Sequence, residues 1–468
     1  MPRNLENETD EQRERQRCLV GIARKPIDLS NTSTVEEDEM NIECSHCGAL
    51  HWQWEKTNRG NYGPCCNGGK VKLSKWPDIP NTLKNLLLSN TKEGKEFRSN
   101  IRAYNQVLAF TSVGASINDD IPKSSGPFTF RIQGEMTHRI GSIAAPADGT
   151  RPKFAEIYLY DTENELENRM NAMPTLNEET MKKVQNMLHE INPYVQKFQQ
   201  AGAEIQKNPT ENYKIIIKND IAGIDNRRYN KPTADDVAVL ILGDETEEFD
   251  GRDIVLKTTD GRLQRIKEFH SVYEPLHYVL LLPYGTRGWT YTLCTQEGQK
   301  ISAMDYAKYI LAIRQGPCPM PHRAGRLFLQ YSVDLFARQE QERLRWVRNN
   351  QKDIRADLYK GISDALEAND ATTASAIGRP IVLPGSFVGS PRHMFQLYQD
   401  AMSVVRKYGK PDLFITITCN PNWPEIAREL NGQTASDRPD IVVRVFRHKL
   451  QQLLHELRDV GIFSQQEN

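Results

Sequence analysis

The chain has 468 residues, 38% of them hydrophobic, with 60 Lys+Arg against 61 Asp+Glu. That length allows about two to four domains of roughly 100–200 residues each, and a net charge of −1 excludes a chain coated in basic charge, so any nucleic-acid contact must be local. A mean hydropathy of −0.62 and the lack of an apolar run near about 18 residues exclude a membrane-spanning helix, and the polar stretch Met1 to Thr34 carries no readable secretory signal.

Residues 1–40 read as a disordered tail. The window 41–77 then holds four of the eight cysteines, Cys44, Cys47, Cys65 and Cys66. Beside Trp52, Trp54 and Trp76 it has few aliphatic residues, so it needs a staple to fold. Without a signal peptide, a reducing compartment is the default and clustered thiols point to metal rather than disulfides. The Cys44-x-x-Cys47 knuckle, followed after seventeen residues by Cys65-Cys66, is close to a zinc-ribbon spacing. Two ligand sets fit a tetrahedral Zn2+: all four thiolates, or Cys44, Cys47 and one of Cys65 and Cys66 with His51. The competing reading is four small buried hydrophobes. A closed four-ligand site would be structural, without chemistry of its own.

Residues 78–270 read as a mixed α+β region. Short strands are expected at Val107–Ser112, Phe128–Ile132 and Ile157–Tyr160. Thr175 and Glu178 fit a capping box ahead of Met181, Val184, Leu188 and Ile191 at helical spacing. Asn192-Pro193 ends that helix and starts another, with Val195 and Phe198 on one face. Strands resume at Tyr213–Ile217, Val237–Leu242 and Asp253–Leu256.

The last region, 271–468, opens with Tyr278–Tyr284, expected as a buried strand. Ser302 and Asp305 fit a capping box leading Tyr306, Tyr309, Ile310 and Ile313. Phe328, Tyr331, Leu335, Leu344, Val347, Ile354 and Leu358 mark long amphipathic helices. Ser390-Pro391 starts a helix with Met394, Leu397, Ala401 and Val405 on its apolar face, and Gly409 stops it. Leu413–Thr418 reads as a buried strand, Asn422–Leu430 as a short helix. Asp437–Asp440 opens a last helix with Val442, Phe446, Leu450, Leu453 and Leu457 as its core stripe.

Enzyme signatures are missing. There is no phosphate-cradling G-x-x-x-x-G-K-[ST], no G-x-S-x-G elbow and no H-E-x-x-H. From Leu311 to Asn468, 21 Lys+Arg stand against 17 Asp+Glu, a local basic surplus. It gathers on two helices, at Arg343, Arg345, Arg348 and Lys352, and at Arg444, Arg447 and Lys449. Such runs are usually solvated helix faces; the alternative is contact with phosphates.

Several ordered motifs resemble one family. They are Cys44–Trp52 with Cys65–Val71, Phe97–Asn105 with Ala109–Ala115, Pro275–Gly285 with Gly288-Trp289, Arg326–Asp334, Leu383–Arg392 and Gly409–Ile426. Together, over about residues 41–460, they resemble the N-terminal part of Helitron transposases, the rolling-circle Rep–helicase proteins, including the Helitron helicase-like domain. The resemblance implies a nuclease that holds a divalent metal on a His-hydrophobic-His pair and attacks DNA with a tyrosine, and a helicase that uses ATP. Leu413–Thr418 corresponds to the first strand of that nuclease fold. Gly461-Ile-Phe463 is followed by Ser-Gln-Gln-Glu-Asn468, without the histidine pair, the tyrosine or the Walker loop that the resemblance leads one to expect. A truncated, catalytically incomplete protein is therefore expected, with no catalytic residue assigned. Glu425 reads as a helix N-terminal carboxylate.

The resemblance further implies DNA as partner, single-stranded or at element ends, no membrane, and a nuclear location. The expected fold class is α+β and multidomain: a zinc-ribbon-like module, a mixed α+β region, and an α/β-rich helicase-like domain ending inside an incomplete nuclease sheet. A non-catalytic DNA-binding or protein-interaction module derived from a transposon is the alternative.

Overall fold

The structure is a computed structural model. It describes residues 39–57, 60, 62–63, 65–73, 77–114, 116–117, 130, 132–133, 136–141, 143, 151–160, 163–207, 213–217, 239–242, 254–257, 263–295, 297–315, 321–351, 354, 381–411, 415–455 and 457. All but the end of the expected 1–40 tail lies outside these residues, as do Trp76, Cys318, Lys352 and Leu358. Helices and four small antiparallel sheets alternate among them, an α+β architecture. The chain divides into two compact units, one of Glu39–Gln339 with Asn420–Asn468, the other including Glu340–Cys419.

The larger unit opens with a hairpin, β1 (Ile42–Glu43) and β2 (Leu50–His51), in which Ile42 pairs with His51. Helices α1 (Asn81–Leu88) and α2 (Lys92–Leu108) follow. Thr91 caps α2 by accepting from the Gly94 amide at 3.1 Å. The α2 stripe Phe97, Ile101, Tyr104 and Leu108 is buried and keeps the 3.6 period. That stripe corrects the strand expected at Val107–Ser112: Val107 and Leu108 finish the helix, and only Thr111–Val113 forms a strand, β3. It joins β6 (His138–Ile140) and β10 (Gln264–Ile266) in the order β10-β6-β3. A separate pair is β4 (Ser116–Ile117) with β5 (Ile132–Gln133).

Ile157–Tyr160 is also helical, within α3 (Ala155–Tyr160). Ile157, Tyr158 and Leu159 are all buried, which a half-exposed strand cannot achieve and a buried helical turn can. Helix α4 (Glu165–Ala172), unforeseen, buries Arg169 against Glu165 at 2.7 Å. Helix α5 (Glu178–Ile191) starts two residues later than expected: the cap is Asn177, whose Oδ1 accepts from the Thr180 amide at 2.9 Å, not Thr175. Asn192 then caps α6 (Pro193–Lys207), accepting from the Tyr194 amide at 2.9 Å, as the Asn-Pro pair suggested. Strands β7 (Tyr213–Ile217), β8 (Val239–Leu242) and β9 (Ile254–Lys257) form a sheet in the order β8-β7-β9.

Tyr278–Leu282 is buried but folds as successive turns rather than as a strand. Asn105 of α2 supplies what a neighbouring strand would. Its Nδ2 donates to the His277 carbonyl at 2.8 Å and its Oδ1 accepts from the Leu280 amide at 3.2 Å. Beneath lies a buried polar cluster. Asp334 accepts the Tyr273 and Tyr278 hydroxyls at 3.0 and 2.7 Å. His138 Nε2 stands 2.9 Å from the same carboxylate.

After α7 (Ala303–Leu311), capped by Ser302 as expected, comes α8 (Gly325–Asn349). In the smaller unit α9 (Pro391–Tyr408) has Ser390 as N-cap and Gly409, at φ +84°, as C-cap. None of its residues is buried, and the expected core positions Met394 and Leu397 are about half exposed, at 55% and 48%. Ile415–Thr418, the described part of the expected strand, is irregular and exposed. Among the described residues of 271–468 no strand enters a sheet. In the larger unit, α10 (Pro424–Glu429) packs with α11 (Pro439–His455). Ile441 and Val445 are buried there, while Val442, Phe446, Leu450 and Leu453 are half-buried or less. The apolar arc of α11 is wide enough for two adjacent stripes to satisfy one period.

Candidate metal centre and its attachment to helix α11

Local backbone chemistry brings the four thiols together. The hairpin closes with the Cys44 amide donating to the Ala49 carbonyl at 2.8 Å and the Gly48 amide to the Cys44 carbonyl at 2.8 Å. Gly48, directly after Cys47, sits at φ +68°, a region open to glycine at little cost. Adjacent cysteines would ordinarily point apart. Here Cys66 runs into Asn67, Gly68 and Gly69, all left-handed with φ of 51°, 66° and 85°. This tight curl turns the Gly69 amide onto Cys66 Sγ at 3.2 Å. A side chain at Gly69 would meet the His46 ring at 2.8 Å.

The Sγ atoms of Cys44, Cys47, Cys65 and Cys66 all lie within 4.8 Å of one another. Cys44 to Cys66 and Cys65 to Cys66 are each 3.8 Å. A tetrahedron of sulfurs about 2.3 Å from a central ion has edges of roughly 3.8 Å, so the spacing is compatible with zinc, and far from the roughly 2.05 Å of a disulfide. A hydrogen bond from Cys65 and the nearby Arg314 hold the Cys47 thiol down at about 4, while burial opposes them. Cys65 is pushed up by that same bond, and burial raises Cys66 to about 11. Cys65 and Cys66 thus resist ionising beside Cys47, and a divalent cation would relieve that resistance. These residues can hold a metal ion.

His51 is not in the group. Its ring is buried, stacked on Tyr62 at 4.6 Å, with Nδ1 3.1 Å from Glu55 Oε2. The structure therefore brings together the all-thiol set and not the set with histidine.

The hairpin is anchored on two sides. Arg314 Nε donates to the Cys47 carbonyl at 3.0 Å, and the Leu50 amide donates to the Ile313 carbonyl at 2.8 Å. On the other side β2 leads into the 3-10 helix Gln53–Glu55, where Glu55 meets Arg444 of α11. Arg444 Nε donates to Oε1 at 2.6 Å, Nη2 reaches Oε2 and also the Leu50 carbonyl at 3.0 Å, and the guanidinium lies 4.6 Å over the Trp52 ring. Trp54 stacks on His448 at 4.3 Å. Although burial opposes ionisation, Arg444 and His51 hold the Glu55 carboxyl down at about 2.

The candidate phosphate-contact residues divide accordingly. Arg444 is committed to Glu55, and Lys449 to Glu425 at 2.5 Å. Arg447 is exposed. On α8, Arg343 and Arg348 are exposed and Arg345 is half-buried and engaged. Glu425 fits its plain reading: it occupies the first turn of α10, and, against burial, Lys449 keeps it below the usual carboxylate range. Sequence reasoning missed Glu55 and Arg314. The glycines after Cys47 and Cys66 were the available signal for the two thiol-bearing turns.

The arrangement is a cluster of four cysteines that could hold a metal ion, within an α+β protein. Residues 306–468 match the family model described as the Helitron helicase-like domain at N-terminus. Over that region, about a third of its length, the chain is similar to Helitron transposase-like proteins. The motifs Arg326–Asp334, Leu383–Arg392 and Gly409–Ile426 lie inside the match. No curated protein matches the chain. Among the described residues no helix is long and apolar enough to cross a membrane.

Proposed function

We propose that the chain is a DNA-contacting, nuclear Helitron transposase-like protein in which Cys44, Cys47, Cys65 and Cys66 hold one structural Zn2+. The observation that carries the reading is the family match over 306–468; the thiol quartet supports the metal. The division proposed is a zinc module at 41–77, a mixed α+β region at 78–270 and the helicase-like domain at 271–468. Exposed Arg343, Arg348 and Arg447 are the proposed contacts to a DNA phosphate backbone, while Arg444 and Lys449 shape the surface from their ion pairs. Lys352 lies outside the described residues and stays a proposal from sequence. No residue of this chain is assigned a catalytic role.

The test is binding of single-stranded oligonucleotides at several salt concentrations. Each phosphate contact contributes about −0.7 to the slope of log affinity on log salt. Three arginines would give a slope near −2, and removing Arg343 and Arg348 together should flatten it by about 1.4. Affinity indifferent to salt counts against the reading. A second reading, a non-catalytic interaction module, is favoured by the outward Met394, Phe395, Leu397 and Tyr398 of α9.

A further inference from the structure

The hairpin that carries Cys44 and Cys47 has only two paired positions in each strand, too little to stand alone in water. Yet every grip of Arg444 named above lands on residues 50–55, the second strand of that hairpin and the turn that follows it: the Glu55 carboxylate, the Leu50 carbonyl and the Trp52 ring. Helix α11 has few attachments of its own. Ile441 and Val445 are its buried side chains, and it is also tied to α10, through Lys449 with Glu425 and Trp423 stacked near Phe446 at 6.5 Å, and to the turn before it, where Arg438 pairs with Asp440 at 2.9 Å. Glu55 is separated from Arg444 by 389 positions, and residues 50–55 are held on one side by the thiol-bearing hairpin and on the other by the Leu50 amide on the Ile313 carbonyl.

We propose that the thiolate centre is a latch: its metal holds residues 50–55 in the shape that grips Arg444 and His448, so that losing the metal releases helix α11. This rests on the reading that the quartet binds a metal ion. The physical reason is that without the ion four crowded thiol groups lose their common centre, and the two-residue hairpin loses the cross-link that sets β2. Glu55, Leu50 and Trp52 then no longer present their three contacts together. Arg444 alone cannot hold a helix whose buried face is two side chains wide.

The test is amide hydrogen exchange on the full chain, zinc-loaded and after chelation, with zinc counted in the same samples. Release predicts exchange at least about tenfold faster in 40–56 and in 439–455 on chelation, with α5 unchanged as the internal reference. Arg444→Ala should keep its zinc while exchange in 439–455 rises roughly tenfold; Glu55→Gln, which keeps the volume, should do the same to a smaller degree. If the loaded protein contains no zinc, the metal reading itself fails. If zinc is present and chelation loosens 40–56 but leaves 439–455 protected, the latch is overturned while the metal site stands. Faster exchange in α5 as well would mean a global staple and also overturns it.

Discussion

At the scale of single residues, the thiol quartet gives the sharpest expectation. Purified protein should carry about one zinc per chain. Cys44→Ser or Cys66→Ser should lose most of it, whereas His51→Ala should retain it, because His51 turns to Glu55; metal analysis of the three variants decides between the ligand sets. Two buried histidines give a second expectation. Burial, with Arg287 beside one and His138 beside the other, pushes His270 and His277 down to about 3. His277 fits the neutral form, with Nδ1 3.3 Å from the Thr111 carbonyl and Nε2 3.3 Å from the Gln330 amide nitrogen. Between about 6.5 and 3 the unfolded chain binds these protons and the folded chain does not, so stability falls as pH falls. From pH 7 to 5.5 the loss is about 1 kcal/mol for each histidine. Urea midpoints at the two pH values check it; a flat profile would contradict it.

At the scale of elements, caps and close approaches are testable one by one. Asn177→Ala should cost about 1 kcal/mol by uncapping α5, and Thr175→Ala almost nothing; the reverse order in thermal melts would restore the cap read from sequence. Gly202 faces the Leu159 carbonyl where α6 crosses α3, leaving no room for a Cβ. Gly202→Ala should therefore destabilise by about 1–3 kcal/mol, despite alanine's better helix propensity. Elements were legible where the signal is local. Ser302, Asn192-Pro193 and Ser390-Pro391 each act within three residues, and each marks a helix start in the structure. Val107-Leu108 and Ile157–Tyr160 were misread as strands because a short apolar run has the same composition in a buried helix turn. Only the neighbours decide.

At the scale of the whole molecule, the two units differ in how they use apolar residues. The larger one buries its helix stripes, as with Met181, Val184 and Leu188 of α5, whereas α9 in the smaller one keeps Met394, Phe395, Leu397 and Tyr398 outward. Leu397→Glu should leave the thermal midpoint nearly unchanged and lower the binding of a hydrophobic dye. Met181→Glu, placing a charge in the core, should abolish cooperative unfolding. A large drop in the midpoint for Leu397→Glu would show that α9 is covered in solution.

The sequence alone determined the α+β class, the thiol types and spacing suited to zinc, most helix starts, and the basic bias of the last third. Each depends on residue chemistry or on interactions within about four positions. Tertiary structure decided which donors converge, because the left-handed run Asn67–Gly69 had to form before adjacent cysteines could face one centre. It decided that Arg444 pairs with Glu55 rather than standing free, and that Asn105 holds Tyr278–Leu282 as turns. Those contacts join positions separated by 389 and 172 residues, and no local preference encodes a partner so distant in the chain.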